Sequence, residues 1–274
     1  MNTILISLLL HSGVAQNPDE AEPAEDTTDR MVLDVDWRYE IGALTLTAGA
    51  FALQAWLGNQ EDGRPVWDSA GRFDRWVRSE VAASTGDGRS NALELSDTLL
   101  YVAMPLSFVA IEAYDIAFDE GTFDGALLDL YTAAIGGFLA VQISQVSKRS
   151  LQRSRPEVFP VGDAEVGIGS VHSFPSGHAM NAAAFAASFV TQRYLRNDPN
   201  WVWYAGAYGA MSVATGIARL RSDNHWASDV IAGLAMGTAV GIVYPLLTRV
   251  PRDANGEGVQ FVVGPGSAGV VASF

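Results

Sequence analysis

Three short stretches in the second half of the chain carry residues able to do chemistry together. The first is Lys148 to Pro156 (KRSLQRSRP), with Lys148 and Arg155 seven residues apart. On a continuous helix that separation is two turns, so both cations would share a face. Two such cations clamp a phosphate, the guanidinium as a planar fork and the ammonium as a point charge. Anchoring at a membrane surface is the plainer use of the same residues. The second stretch is Phe174-Pro175-Ser176-Gly177-His178, directly ahead of an apolar run. Ser176 stands where a helix cap belongs, and Gly177 lets backbone approach a ligand closely. The helix start would then offer free amides to an anion, with His178 beside it as proton donor. A simple cap next to a surface histidine fits equally. The third is ARLRSDNHWASD, which holds Arg219, His225 and Asp229. Four residues separate His225 from Asp229, so a helical turn would bring the carboxylate under the imidazole. A carboxylate on one ring nitrogen fixes the tautomer and raises the basicity of the other, as a nucleophilic histidine needs. A structural His–Asp contact is the alternative.

These groups need elements to position them. Six apolar segments follow residue 40, at Ile41–Leu57, Thr98–Phe118, Leu127–Val146, Ala179–Val190, Trp201–Ala218 and Val230–Leu247. Ala, Leu and Met outnumber β-branched residues, which predicts helices. The second, third, fifth and sixth approach the length that crosses about 30 Å of hydrocarbon. Trp37, Trp56, Trp201 and Trp203 fall at segment ends, where a membrane's aromatic belt would lie. Gly136, Gly137, Gly206, Gly209 and Gly233 would let helices approach closely. Arg72–Val81 reads as an amphipathic helix at a membrane interface or on an ordinary surface. Connectivity brings the first stretch, after helix three, and the second, before helix four, to one end of a bundle. The third returns to that end two crossings later.

The remaining composition sets limits. A net charge of −14 speaks against nucleic acid as a partner, because phosphate backbones call for a basic surface. The chain has no cysteine, so neither disulfides nor thiolate metal sites are available. Residues 1–16 read as a signal peptide and 17–36 as an acidic, disordered linker. The helical domain is expected over 37–250, and a β-hairpin extension over 251–274. His172 reads as a loop residue, and Arg149, Arg153 and Arg221 as solvated cations, with binding of a second phosphate or of lipid headgroups as the alternative.

In order and spacing the three stretches resemble the type-2 phosphatidic acid phosphatase (PAP2) and vanadium haloperoxidase superfamily. Its pattern is Lys-x6-Arg-Pro, Pro-Ser-Gly-His, then Ser-Arg-x5-His-x3-Asp. Lys148, Arg155, Pro156, Pro175, Ser176, Gly177, His178, Arg219, His225 and Asp229 all match, and Ala218 stands where the family usually has serine. The resemblance implies an all-α, six-helix, membrane-embedded bundle with a metal-independent phosphatase site and no cofactor. It implies that Lys148, Arg155, Arg219, Ser176 and the Gly177 amide hold phosphate. His225 would attack phosphorus, Asp229 would orient it, and His178 would protonate the leaving alcohol. The expected substrate is a phosphorylated lipid or small phosphoester, with vanadate as inhibitor, in a bacterial-type inner membrane or periplasm. Vanadate-dependent halide oxidation, lipid phosphotransfer and a non-enzymatic role as a membrane structural or lipid-binding protein are the alternatives.

Overall fold

The computed structural model describes residues 31–60, 64–119, 121–159, 167–252, 258–264 and 267–273. The expected signal peptide, and the linker as far as residue 30, lie outside them. Eight α-helices are described: α1 (Trp37–Gly58), α2 (Arg72–Val81), α3 (Gly86–Thr98), α4 (Met104–Phe118), α5 (Phe123–Leu151), α6 (Gly177–Leu195), α7 (Trp201–Arg221) and α8 (Ala227–Thr248). A π-helical turn, Leu99–Ala103, joins α3 to α4 as one long rod. The six apolar segments thus become α1, α3–α4, α5, α6, α7 and α8.

Local chemistry sets several helix starts. The Asp36 carboxylate accepts from the Arg38 amide at 3.0 Å to open α1. The hydroxyls of Thr85 and Thr122 do the same for α3 and α5, each at 3.1 Å. At the other end of α5, Gln152 takes the left-handed conformation at φ 39°, and the helix stops there.

The buried α6 is the axis of the bundle, flanked by α5, α7 and α8. Phe108 of α4 stacks on Phe185 and Phe189 of α6 at 4.7 and 4.2 Å, and Tyr208 of α7 meets it edge-on. Helix α8 lies so near α6 that a Cβ on Gly233 would come within 2.6 Å of the Ser176 carbonyl oxygen. Gly136 and Gly137 sit at similarly close crossings, as expected. Gly206 and Gly209 do not, for they face open space. The end of the bundle away from Lys148 is fastened by buried charges. Arg193 meets Glu112, Asp115 and Asp198, and Arg249 meets Glu40, which also accepts from Tyr131 and Tyr244.

Among the described residues four helical stretches are long and apolar enough to cross a membrane: Trp37–Gly58, Gly86–Phe118, Phe123–Leu151 and Ala227–Thr248. This differs from the sequence expectation, since α1 qualifies and α7 does not. Tyr, Gly, Ser and two arginines lower the hydropathy of α7. Trp37 and Trp56 are 65% and 60% exposed near the two ends of α1. Nineteen residues of rise set them about 28 Å apart, close to a hydrocarbon thickness of about 30 Å.

The β component is larger than a hairpin. Strands β1 (Val32–Val35), β2 (Arg249–Arg252), β3 (Gly258–Gly264) and β4 (Ser267–Ser273) form one antiparallel sheet in that order. The predicted hairpin is β3–β4. Strand β1 corrects the end of the expected linker, because Val-Leu-Asp-Val alternates, buries Leu33 and finds an edge in β2.

Candidate active site

At the end of the bundle where α5 stops and α6 and α8 begin, Lys148, Arg155, Ser176, Gly177, His178, Arg219, His225 and Asp229 come together. Lys148, from the last turn of α5, is buried. A Cβ on Gly177 would stand 3.1 Å from its Nζ, so the absence of a side chain there admits the ammonium to the start of α6. The fields of Lys148 and Arg155 both reach His225, and those of Arg219 and Lys148 reach His178. Burial, followed by the field of Arg155, pulls Arg219 down to about 10. Three cations therefore crowd one end of the bundle, close enough to disfavour one another's charge, an arrangement that an oxyanion would relieve.

Two local expectations are corrected. Arg155 does not share a helical face with Lys148, because α5 ends at Leu151. It arrives instead from the following loop, ahead of Pro156, which disfavours helix in the residue before it. There its backbone amide donates to the Ser170 carbonyl and its Nε to the Gly169 carbonyl, both at 2.8 Å, and its Nη1 to Asn224. Nor are His225 and Asp229 one helical turn apart, since α8 begins at Ala227 and His225 precedes it.

The second correction changes how His225 is held. Its Nδ1 lies 2.7 Å from the Ser173 carbonyl oxygen and 3.8 Å from the Asp229 carboxylate. A carbonyl can only accept, so Nδ1 carries the hydrogen and Nε2 keeps its lone pair. The tautomer that a nucleophile needs is present, fixed by a backbone oxygen. Asp229 is fully buried and occupied otherwise: it accepts from the Ser173 hydroxyl at 2.6 Å and the Trp226 amide at 2.9 Å, and it pairs with Arg153. It holds the loop that holds the imidazole.

Ser176 occupies the N-cap of α6, yet its hydroxyl caps nothing. Its Oγ is buried without a hydrogen-bond partner, as is the Oγ of Ser144. A Cβ on Gly177 would lie 3.2 Å from Ser144 Oγ, so that hydroxyl borders the same space as Lys148. Two hydroxyls able to donate thus lie beside the cations, a set of groups that suits an oxyanion. Ser144 was not foreseen, for a serine within an apolar helix gives no signal of its own.

Arg153 overturns the reading of a solvated cation. Only 1% exposed, it bridges Asp229 and Asp74 of α2, donates to the Ser228 hydroxyl at 2.8 Å, and stacks over Trp67 at 4.0 Å. Asp74 in turn accepts from the Ser228 amide at 2.9 Å, and Arg78 grips Asp223 with two 2.8 Å bonds. Helix α2 is thereby docked on the loop that carries His225. Its acid inside a basic, aromatic helix was the available clue. His172 lies in the loop after a short 3-10 turn, as expected.

Burial pushes His225 down to about 3; the nearby Asp229 opposes this, while Lys148 and Arg155 add to it. The ring is therefore neutral at ordinary pH. A neutral buried histidine has a sign in stability. Its contribution is complete above the ordinary value of 6.5, and acid removes it as pH falls from there toward 3. Wild-type thermal unfolding is expected to weaken across that window, with a flatter dependence for His225→Phe. Equal slopes would show that His225 is not held neutral.

Among the described residues no group of three or more His, Cys, Asp or Glu side chains converges as a metal-ligand set.

Comparison with known proteins agrees with the geometry. Residues 126–252 match the model of the PAP2 superfamily. The chain is 34% identical over 128 residues to lipid A 1-phosphatase of Porphyromonas gingivalis, covering 46% of this chain and 26% of that protein. It is 28% identical over 137 residues to phosphatidylglycerophosphatase B of Bacillus subtilis, covering 48% of this chain and 62% of that one. The matches thus span less than two thirds of these relatives. Among solved structures, the transmembrane PAP2 type phosphatidylglycerolphosphate phosphatase from Bacillus subtilis aligns with a TM-score of 0.46 at 18% identity. That alignment covers 74% of this chain and 93% of the other. Lys148, Arg155, Ser176, Gly177, His178, Arg219, His225 and Asp229 all lie inside residues 126–252, the stretch that is similar to the PAP2 superfamily.

Proposed function

We propose that the protein is a metal-independent phosphatase that hydrolyses a phosphomonoester or diphosphate of a lipid through a phosphohistidine on His225. The observation that carries this reading is the state of His225. It is a buried, neutral imidazole with Nδ1–H committed to the Ser173 carbonyl, its Nε2 lone pair free, and Lys148 and Arg155 acting on it.

Lys148, Arg155 and Arg219 hold the non-bridging oxygens, joined by the Ser176 hydroxyl and the Gly177 amide at the start of α6. Fixed donors of this kind stabilise charge that spreads over phosphorus in the transition state, without reorganising water. Nε2 of His225 forms the P–N bond as the ester P–O bond breaks, and protonated His178 gives its proton to the departing oxygen. Water then attacks phosphorus, His178 takes a proton from it, and inorganic phosphate leaves.

A lipid substrate is supported by the four apolar helices and by the names of the relatives, a lipid A phosphatase and a phosphatidylglycerol phosphate phosphatase. The bundle sits in a membrane of the cell envelope, with the pocket at the level of the headgroups.

Phosphate release from a panel of lipid and soluble phosphoesters tests this. Activity is expected to survive EDTA unchanged and to be inhibited by vanadate, which adopts the trigonal bipyramid of the transition state. Loss in EDTA with recovery on added divalent metal would contradict the reading. Halide oxidation supported by vanadate, with no phosphate release, would replace it.

A further inference from the structure

His178 has two partners on the rod formed by α3 and α4, outside the stretch that matches the family model. Asp97 Oδ1, in the last turn of α3, stands 2.9 Å from His178 Nε2. The ring of Tyr101 meets the imidazole edge-on at 5.7 Å. Between the two residues the helix passes into the π turn Leu99–Ala103. A π turn widens the helix and shifts the direction of the side chains beyond it, and such turns recur at functional sites. Here the turn lies where one helix must present both a carboxylate and an aromatic edge to the same ring.

A carboxylate only accepts, so Nε2 carries a hydrogen whenever this contact is made. Other charges face His178 as well: Arg219 from α7, whose Nη1 is 3.9 Å from the same Asp97 oxygen, and Lys148 from α5. Burial and these two cations oppose protonation of His178 and take it down to about 4, while Asp97 acts in the opposite direction.

We infer that Asp97 is a positioning residue for His178, binding the Nε2 hydrogen so that proton transfer to and from the substrate runs through Nδ1. This rests on the phosphatase reading above. In the first half-reaction, Nδ1–H of protonated His178 passes its proton to the leaving oxygen as the P–O bond breaks and the P–N bond to His225 forms. His178 is left neutral, its remaining hydrogen on Nε2 and bound to Asp97. In the second half, Nδ1 takes a proton from the attacking water as the P–N bond breaks, and His178 returns to its starting charge. The negative charge of Asp97, together with that of the bound phosphate ester, favours the protonated form that each turnover begins with.

The test compares wild type, Asp97→Asn and Asp97→Ala on two esters, an alkyl phosphate whose leaving group needs a proton and p-nitrophenyl phosphate, whose leaving group does not. On the alkyl ester kcat is expected to fall about 10- to 100-fold, with KM little changed and the alkaline limb of kcat moved to lower pH. On the activated ester the loss should be much smaller. Equal losses on both esters, or an unmoved alkaline limb, would overturn the assignment. With four histidines in the chain, nitrogen-15 histidine spectra of the full-length detergent-solubilised protein give a readout independent of turnover. His178 should be the Nε2–H tautomer in wild type and lose that preference in Asp97→Ala. A tautomer indifferent to Asp97 would also overturn it. Failure of the phosphatase reading looks different, as a wild type inactive on both esters, and it would remove this role along with its basis.

Discussion

His225→Ala is expected to lower chelator-resistant phosphate release by on the order of 10⁴-fold or more. The magnitude follows from what is removed. His225 provides the atom that bonds to phosphorus, and among the described residues no second imidazole stands beside it with a free lone pair. His178 has its Nε2 on Asp97, and His172 lies in the loop after a 3-10 turn. Fixed cations would still bind the ester, so KM should change far less than kcat. The variant loses the Nδ1–H bond to the Ser173 carbonyl, a stability cost of about 1–3 kcal/mol. Thermal unfolding must therefore show that the variant is folded before its inactivity is read as chemical. A folded His225→Ala protein that retains a tenth of wild-type turnover would exclude a covalent role.

The second large effect is on stability. Arg153→Met keeps length and volume but leaves Asp229 and Asp74 as buried carboxylates without their shared cation. Removing one member of a buried ionic network costs about 3–5 kcal/mol, whereas an exposed arginine would change stability by less than about 0.5 kcal/mol. The two readings of Arg153, buried bridge or solvated cation, thus differ by an amount that a thermal melt resolves. Asp229 would also lose an anchor, loosening Ser173 and through its carbonyl the imidazole, so activity should fall about 10- to 100-fold. Adding Asp74→Asn, which keeps one acceptor oxygen for Ser228 but removes one stranded charge, should restore part of the loss. Strict additivity of the two changes would mean that Arg153 and Asp74 do not interact.

The sequence placed the residues of the candidate site better than their scaffolding. Lys148, Arg155, Ser176, Gly177, His178, Arg219, His225 and Asp229 were legible because the order of three motifs and the alternation of helix ends place them at one end of a bundle. Their local geometry was less so. A seven-residue spacing says nothing of a left-handed Gln152 between the cations, and a four-residue spacing implies a helical turn only if both residues are in the helix. Arg153, Asp74 and Asp97 were missed for a common reason. Each is a charged residue whose partner lies more than seventy positions away or on another helix, and local periodicity carries no information about such pairs. Strand β1 escaped because acidic composition dominated a segment whose last four residues alternate.

The central claim is that phosphate passes through His225, and trapping the intermediate tests it most directly. Wild-type protein is mixed with a radiolabelled phosphoester, quenched within one turnover in base, and digested to locate the label. The account predicts acid-labile, base-stable phosphate on Nε2 of His225, formed at the rate of the burst and absent from His225→Ala. Phosphate release without any labelled protein, or label on another residue, would contradict it.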